Sequence, residues 1–547
     1  MNLHLRNKNL NLTLGGGYSD GGYKENVRNQ YFFTKISQSD WFNVNTNKTN
    51  FKRFVNNFVV DYQINKRSFI SISLNQSHIK YTTVQKAQIE FFKKDLIDST
   101  GETNGNDWNN LSTYSGSFNF HSDLKKNGSF IDLSFDYLSK KGETENKSKT
   151  NNYVNGKETG FERGIYSYAF SPKEVLSGKI DFVLSNSFLK HKVESGAKVI
   201  HFFNNSKIAY DQFVNEQSVF NNTITNDNFN YSETDIAAYV SLGRSYGKFS
   251  AKYGMRYEYT ITTGHTIQLD QSYKNHFGYF FPSLFLQYKL SKSVAVDFSY
   301  VRRISRPKIW DVNPYRWFSS IYSYSVGNPY LVPSLQNSLE ANVVIKDKLF
   351  INSYYNIRHD PIVSLPYSKF LFIENIKENN GRLISYGLNI DYNIQVGNWM
   401  QAGYGMGVGA MNFRTSYQYN YTRSPIIADL TASHSFQFKK DWSIDLVGRA
   451  TLPGSSFDVT TQNGSLRVDI GVKKMLLAGK LGVSLSVADL FRSSSPVYTT
   501  KTLDFFSEQF NYYDFRSVSL SVKFKFGKAL REAKTKSGVS SSEKMRI

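Results

Sequence analysis

Residues that could do chemistry are present in this chain, but they do not form a catalytic set. Nine histidines are scattered, cysteine is absent, and no His/Asp/Glu group has the spacing of metal ligands. Ser, His and Asp combinations can be drawn from any chain of 547 residues, so none is assigned a role. The reading is no enzyme, no metal and no cofactor. Three other groups stand out. Trp310, Tyr315, Trp317, Tyr322, Tyr324 and Tyr330 crowd one stretch; such faces stack on sugars and other flat or cyclic ligands, or simply pack a loop on itself. Arg302, Arg303 and Arg306 precede them and suit bidentate binding of phosphate or carboxylate, or salt bridges within the fold. Gly403, Gly405, Gly407 and Gly409 alternate with Tyr404, Met406, Val408 and Ala410. The period is two and no helix follows, so this is not a phosphate loop. It is a strand with one bare face, against which something can pack closely.

The elements that must carry these groups are strands. Val294, Val296, Phe298 and Tyr300 alternate with Ala295, Asp297 and Ser299, which gives a strand two faces in different media. Pro307, Pro314, Pro329 and Pro333 then remove donors and stiffen φ, so the arginine and aromatic stretch is a loop. A second strand starts near Ser338 and ends at the tight turn Lys346-Asp347-Lys348. Similar polar turns recur near Asn7, Asn65, Lys126, Lys190, Gly247, Ser291, Asp347, Gly397, Lys440 and Gly479. Their spacing, roughly 40 to 65 residues, fits two strands of about 10 residues and one long loop per interval. The polar stretches around Gly101–Asn110, Lys140–Gly160 and Asn204–Ser232 read as such loops. At the C-terminal end, Val518, Leu520, Val522, Phe524 and Phe526 alternate with Ser519, Ser521, Lys523 and Lys525. The first set is expected to face lipid and the second the lumen.

The whole is read as one large antiparallel transmembrane β-barrel of about 21 to 22 strands over residues 1–527, with short periplasmic turns and long extracellular loops. A basic, serine-rich tail, 528–547, lacks any core-forming pattern. The 43 Phe and 37 Tyr suit strands and membrane interfaces. A mean hydropathy of −0.44 does not exclude a membrane protein, because a barrel places its apolar residues in every second position. No run of about 18 apolar residues exists, which excludes transmembrane helices. The net charge of +21 forms no stripe, which argues against nucleic acid and suits a solvated surface or anionic lipid head groups. Met1-Asn2-Leu3-His4-Leu5-Arg6 leads directly into strand-like sequence with no apolar leader. With an odd strand at the same end, this predicts an N-terminal truncation, and a first strand running the same way as the last.

Arg306-Pro307, Asn313-Pro314-Tyr315, Gly327-Asn328-Pro329-Tyr330-Leu331-Val332-Pro333, Phe526-Gly527 and the closing Glu543-Lys544-Met545-Arg546-Ile547 resemble the outer-membrane β-barrel family related to TonB-dependent receptors. The resemblance implies a bacterial outer-membrane location, a barrel of about 22 strands filled by an upstream plug, and uptake of a scarce nutrient. It implies outer-membrane lipids and lipopolysaccharide as surroundings, the arginines being candidate phosphate contacts. The loop aromatics become candidate contacts for a small nutrient, glycan or peptide, and the glycine strip the wall facing a plug. No plug-like region or coupling box is found in this sequence, so an energy-coupling complex is a partner only if a plug lies upstream. The alternatives are a non-transporting adhesive or structural barrel, and a passive pore.

Overall fold

The computed structural model describes residues 2–33, 40–93, 96–124, 128–186, 191–218, 226–268, 270–320, 323–369, 372–414, 422–423, 426–457, 460–501, 505–513 and 516–526. The proposed tail, 528–547, lies outside them.

Alternation makes strands, and strand follows strand as an antiparallel meander. β1 (Asn2–Arg6), β2 (Leu10–Phe33), β3 (Asp40–Gln63), β4 (Ser68–Lys93) and β5 (Leu96–Asp123) come first. β6 (Phe130–Val154), β7 (Lys157–Asn186) and β8 (His191–Val214) follow, β8 carrying the stub β9 (Gln217–Ser218). Then come β10 (Asn226–Tyr246), β11 (Phe249–Thr266), β12 (Gln271–Lys289) and β13 (Val294–Ser305). A loop holding α1 (Ile309–Val312), β14 (Arg316–Ser320) and β15 (Ser323–Val326) leads to β16 (Ser334–Ile345) and β17 (Leu349–His359). A second loop holds β18 (Ile362–Lys369) and β19 (Phe372–Asn379). The wall resumes with β20 (Arg382–Val396), β21 (Met400–Arg414), the short β22 (Thr422–Arg423), β23 (Ile426–Phe438) and β24 (Trp442–Thr451). After the short β25 (Ser455–Phe457) and β26 (Thr460–Gln462), it ends in β27 (Ser465–Leu476), β28 (Leu481–Ala488), β29 (Val497–Lys501), β30 (Phe505–Tyr513) and β31 (Ser517–Phe524).

The wall is a 27-stranded sheet. Four members are stubs of two or three residues, β28 with β29 forms one stave, and β30 with β31 another. Twenty-one staves remain among the described residues, in line with the expected count. Of the expected turns, those at Gly247, Asp347, Gly397, Lys440 and Gly479 use a left-handed backbone, with positive φ at Gly247, Lys346, Asp347, Gly397, Lys440 and Gly479; those at Asn7, Asn65 and Ser291 join neighbouring strands without one, and those at Lys126 and Lys190 lie outside the described residues.

Register separates two faces. Val483 opposes Val522, and Leu485 opposes Leu520, while Ser484 opposes Ser521 and Ser486 opposes Ser519. Leu520 and Val522 remain 70% and 63% exposed, which suits lipid and not water. The opposite face is polar and lines the bore.

The wall is of unequal height. A membrane strand needs about 9 to 11 residues, yet β2 to β8 run from 24 to 30. Residues 101–110 lie wholly within β5, and 140–160 form the top of β6, a tight turn at Asn155-Gly156 and the start of β7. Of 204–232, residues 204–214 complete β8 and 226–232 open β10, with 219–225 outside the described residues. The chain therefore continues as strand where polar loops were expected. Cross-strand hydrogen bonds hold these extensions: Thr49 with Thr83 at 2.9 Å, Thr103 with Thr150 at 2.7 Å, and Asp107 between Gln85 and Asn146.

Candidate functional site

The two loops at the outer end do not stand free. β14 pairs with β15, β15 runs parallel to β19, and β19 pairs with β18, giving a four-stranded sheet separate from the wall. This cap is anchored on well-separated parts of the inner wall. Ile309, Val312 and Leu331 are buried against Leu138, Val175, Ile200, Phe202, Phe229 and Tyr231 of β6, β7, β8 and β10. Tyr315 packs on Ile165 and Tyr210 higher on β7 and β8. Ile373 reaches Trp41 and Ile89 of β3 and β4, where Tyr31 stacks on Trp41 at 4.5 Å. Val363 and the fully buried Leu365 meet Phe413 of β21. Contacts on such separated staves mean that the cap bridges the bore.

The Asn-Pro motifs explain the shape of the first loop. Asn313 Oδ1 accepts the Tyr315 N–H across Pro314 at 3.2 Å, and Asn328 Oδ1 accepts the Tyr330 N–H across Pro329 at 3.0 Å. Each is an Asx-type turn with proline at its centre. Gly327 N–H donates to Asn313 O and Asn328 N–H to Asp311 O; a Cβ on Gly327 would strike the carbonyls of Trp310, Asp311 and Asn313. Asn379 fastens the second loop to the first. It accepts the Val332 N–H at 2.8 Å and donates to Val332 O at 2.9 Å.

Arg306 enters the bore. Its Nη2 lies 2.6 Å from Glu258 Oε2, and its Nε lies 3.1 Å from Asp235 Oδ1 and 3.9 Å from Glu233 Oε1. Thr260 Oγ1 accepts from the same guanidinium at 3.0 Å, and Arg256 shares Glu258 at 2.5 Å. These contacts hold the guanidinium among acids of β10 and β11. Arg303 is also inward, opposite Gln336, while Arg302 continues the outward row of Phe298 and Tyr300 opposite Asn337.

The aromatic group divides. Tyr324 is buried and donates to Glu374 Oε1 at 2.8 Å; burial and this bond push its phenol up to about 12. Trp310 is 59% exposed and lies under the Lys173 ammonium at 3.9 Å. Trp317 and Tyr330 are exposed, Tyr330 meeting Tyr273 edge-on at 5.4 Å. Tyr322 lies outside the described residues.

Gly403, Gly405, Gly407 and Gly409 face the bore, opposite Asn393, Asp391, Asn389 and Gly387 on β20. Cβ atoms there would press on Ser433, Thr431 and Asp429 of β23, and Tyr354 Oη would lie 2.5 Å from one on Gly409. The neighbouring side chains thus lean over the strip. Glu233, Asp235, Glu258, Glu374 and Asn379, which hold the cap, were not singled out from sequence. Each sits far along the chain from its partner: Glu233, Asp235 and Glu258 are inward positions of the wall strands β10 and β11, and Glu374 and Asn379 lie on β19 of the cap.

An antiparallel wall whose first long strand pairs back on its last stave in the outer half, with an exposed apolar exterior, a polar bore and a bridged mouth, defines an outer-membrane β-barrel. The chain belongs to the outer membrane protein beta-barrel family, whose family model matches residues 122–524; it is a bacterial outer-membrane protein. Comparison with curated protein sequences gives no match. Among solved structures, the chain is similar to the ferripyoverdine receptor of the Pseudomonas aeruginosa outer membrane, bound to ferripyoverdine. Identity is 10%, the TM-score 0.57, and 92% of this chain and 76% of that chain are covered. It is similar to the copper transporter OprC (10% identity, TM-score 0.56, 92% and 85% covered). It is also similar to the FrpB iron transporter from Neisseria meningitidis (10% identity, TM-score 0.50, 90% and 81% covered). At this identity the likeness is one of fold.

Proposed function

We propose that the chain forms the gated barrel of an outer-membrane uptake receptor of the TonB-dependent kind, importing a scarce nutrient captured at its outer mouth. The observation that carries this reading is the cap. A passive pore needs an open bore, and a purely structural barrel needs no bridge anchored on distant staves. Likeness in fold to an iron transporter, a copper transporter and a ferripyoverdine receptor supports it. On this reading Tyr315 and Tyr324 hold the cap together, and Trp310, Trp317 and Tyr330 are left to meet ligand. The glycine strip faces whatever fills the bore below. An upstream plug, if present, would link the barrel to an energy-coupling complex.

The test is conductance across a planar bilayer. The wild-type chain is expected to pass far less current than Leu365→Asp, in which a buried, unpaired carboxylate expels β18 from its seat against Phe413. A wild-type chain that conducts as freely as the variant would replace this reading with a passive pore.

A further inference from the structure

Lys173 is a buried cation that the fold leaves without an anion. It lies on β7 and is only 4% exposed. Register puts it in one row with Lys140 on β6 and Asn204 on β8. That row stands directly above Leu138, Val175 and Phe202, the inner-wall residues on which the cap is seated. Lys173 therefore faces the bore, at the mouth. On the outer face of β6 the apolar row Ile131, Leu133, Phe135 and Tyr137 has by this height given way to Ser139 and Lys141, so the lysine row lies above the hydrocarbon.

Burying an ammonium costs free energy unless an opposite charge and hydrogen bonds replace its water. Neither is supplied here. Asn204 donates its amide to Ser171 Oγ at 3.1 Å and to Pro172 O at 3.0 Å, and its oxygen accepts the Ser206 hydroxyl at 2.7 Å. Glu233, one row lower on β10, accepts the Tyr231 hydroxyl at 2.7 Å and faces Arg306. Among the described residues the Lys173 ammonium makes no ion pair and no hydrogen bond. It rests on the face of Trp310, 3.9 Å from the ring centroid. Lys140, directly opposite, adds a like charge, which destabilises a strand pair. A cation–π contact offsets only part of these costs. Trp310 is 59% exposed and sits on α1, between the buried Ile309 and Val312. The indole thus covers Lys173 from the open side of the mouth. We infer that Lys173 and Lys140 receive the oxyanion of the captured ligand, a phosphate or carboxylate carried beside a flat ring, with the Trp310 indole giving up its place to the anion and stacking on that ring. The cap supplies the indole and the wall supplies the cations, so the ligand joins the two. This rests on the reading of the chain as an uptake receptor and deepens it by naming the chemistry of the ligand.

The experiment uses the full chain refolded in non-ionic detergent. The heat-dependent gel shift of a folded barrel separates a variant that fails to fold from one that folds and does not bind. The probes are phenyl phosphate, inorganic phosphate and the neutral benzyl alcohol, followed by calorimetry and by tryptophan emission. Phenyl phosphate is expected to bind the wild type most tightly and to change its emission, and Trp310→Phe should lose that change. Lys173→Met, which keeps the unbranched side chain and removes the charge, should bind phenyl phosphate about tenfold more weakly. Without ligand it should melt no lower than wild type, because a buried charge is gone. Lys207→Met, which removes an exposed lysine on the outward face of β8, should bind as wild type does. Equal affinity of wild type and Lys173→Met would overturn the inference, as would benzyl alcohol binding as tightly as phenyl phosphate. Inorganic phosphate binding as tightly as phenyl phosphate would overturn the part assigned to the ring. Should Lys173→Met fail the gel shift, the wild-type comparison of phenyl phosphate with benzyl alcohol and the emission of Trp310→Phe decide the question. The conductance of Leu365→Asp reads the cap and not the anion, so failure of the uptake reading and failure of this inference are distinguishable.

Discussion

Arg306 is the residue on which cap docking turns. It enters a set of three carboxylates supplied by two different staves, Glu233 and Asp235 on β10 and Glu258 on β11. Its side chain is only 12% exposed. Removing one partner from a buried ionic cluster leaves charge without compensation and costs about 3–5 kcal/mol. Arg306→Ala should therefore release the first loop, with protease cleavage between 307 and 333 rising sharply while the wall stays intact. Arg306→Lys, which keeps the charge and loses the planar fork, should fall between the two. Cleavage unchanged in Arg306→Ala would mean that the apolar anchors alone hold the loop. Sequence shows the stiffness of this stretch, because Arg306-Pro307 and the two Asn-Pro-Tyr segments carry their turn chemistry locally. It hides the partners of Arg306: isolated acids on distant strands look like any other polar position of an alternating wall.

At the scale of elements, alternation was readable wherever one face is apolar and the other is not. β31 shows this: its register on β28 puts Val518, Leu520 and Val522 on the face of Val487, Leu485 and Val483, as the sequence pattern predicts. A charge on the lipid side near the bilayer midplane costs about 2–4 kcal/mol, and less toward the interfaces. Val522→Arg should therefore lower the unfolding midpoint in lipid more than Ser521→Arg, whose side chain enters the bore. Equal midpoints would reject the assigned faces. The tall extensions of β4 to β6 were not readable by the same rule. Asn104, Asn106 and Asn110 point one way and Thr103, Gly105 and Asp107 the other; with polar residues on both faces, strand and loop carry the same hydrophobic signal. Only the pairing of Thr103 with Thr150 and of Asp107 with Gln85 and Asn146 makes the difference, and it joins residues on separate staves.

For the molecule as a whole, strand direction was legible and the manner of closure was not. Counting turns predicts that the first and last strands run the same way, and β1 and β31 do: each ends toward the periplasmic side. They do not pair with each other among the described residues. β1 lies on β2, and β31 lies on β28. Closure is made above them, where Glu25–Phe33 of β2 runs antiparallel to Phe505–Tyr513 of β30, with Phe32 and Phe506 rings 5.8 Å apart. The ring is thus zipped in its outer half, while in the inner half β31 is paired along one edge only. Unsatisfied backbone groups in hydrocarbon cost several kcal/mol each, so among the described residues this edge is the weakest line of the wall. Hydrogen exchange in detergent micelles reads the difference directly. Every second amide of Val518–Phe524, those pointing away from β28, should exchange fast. The amides of Ser117–Asn119, in β5 between β4 and β6, should stay protected. The Phe506–Phe510 amides should resemble β5, because both of their edges are occupied, by β2 and β29. Uniform protection along β31 would mean that the inner half of the seam is paired as well, and that the barrel closes along its whole height.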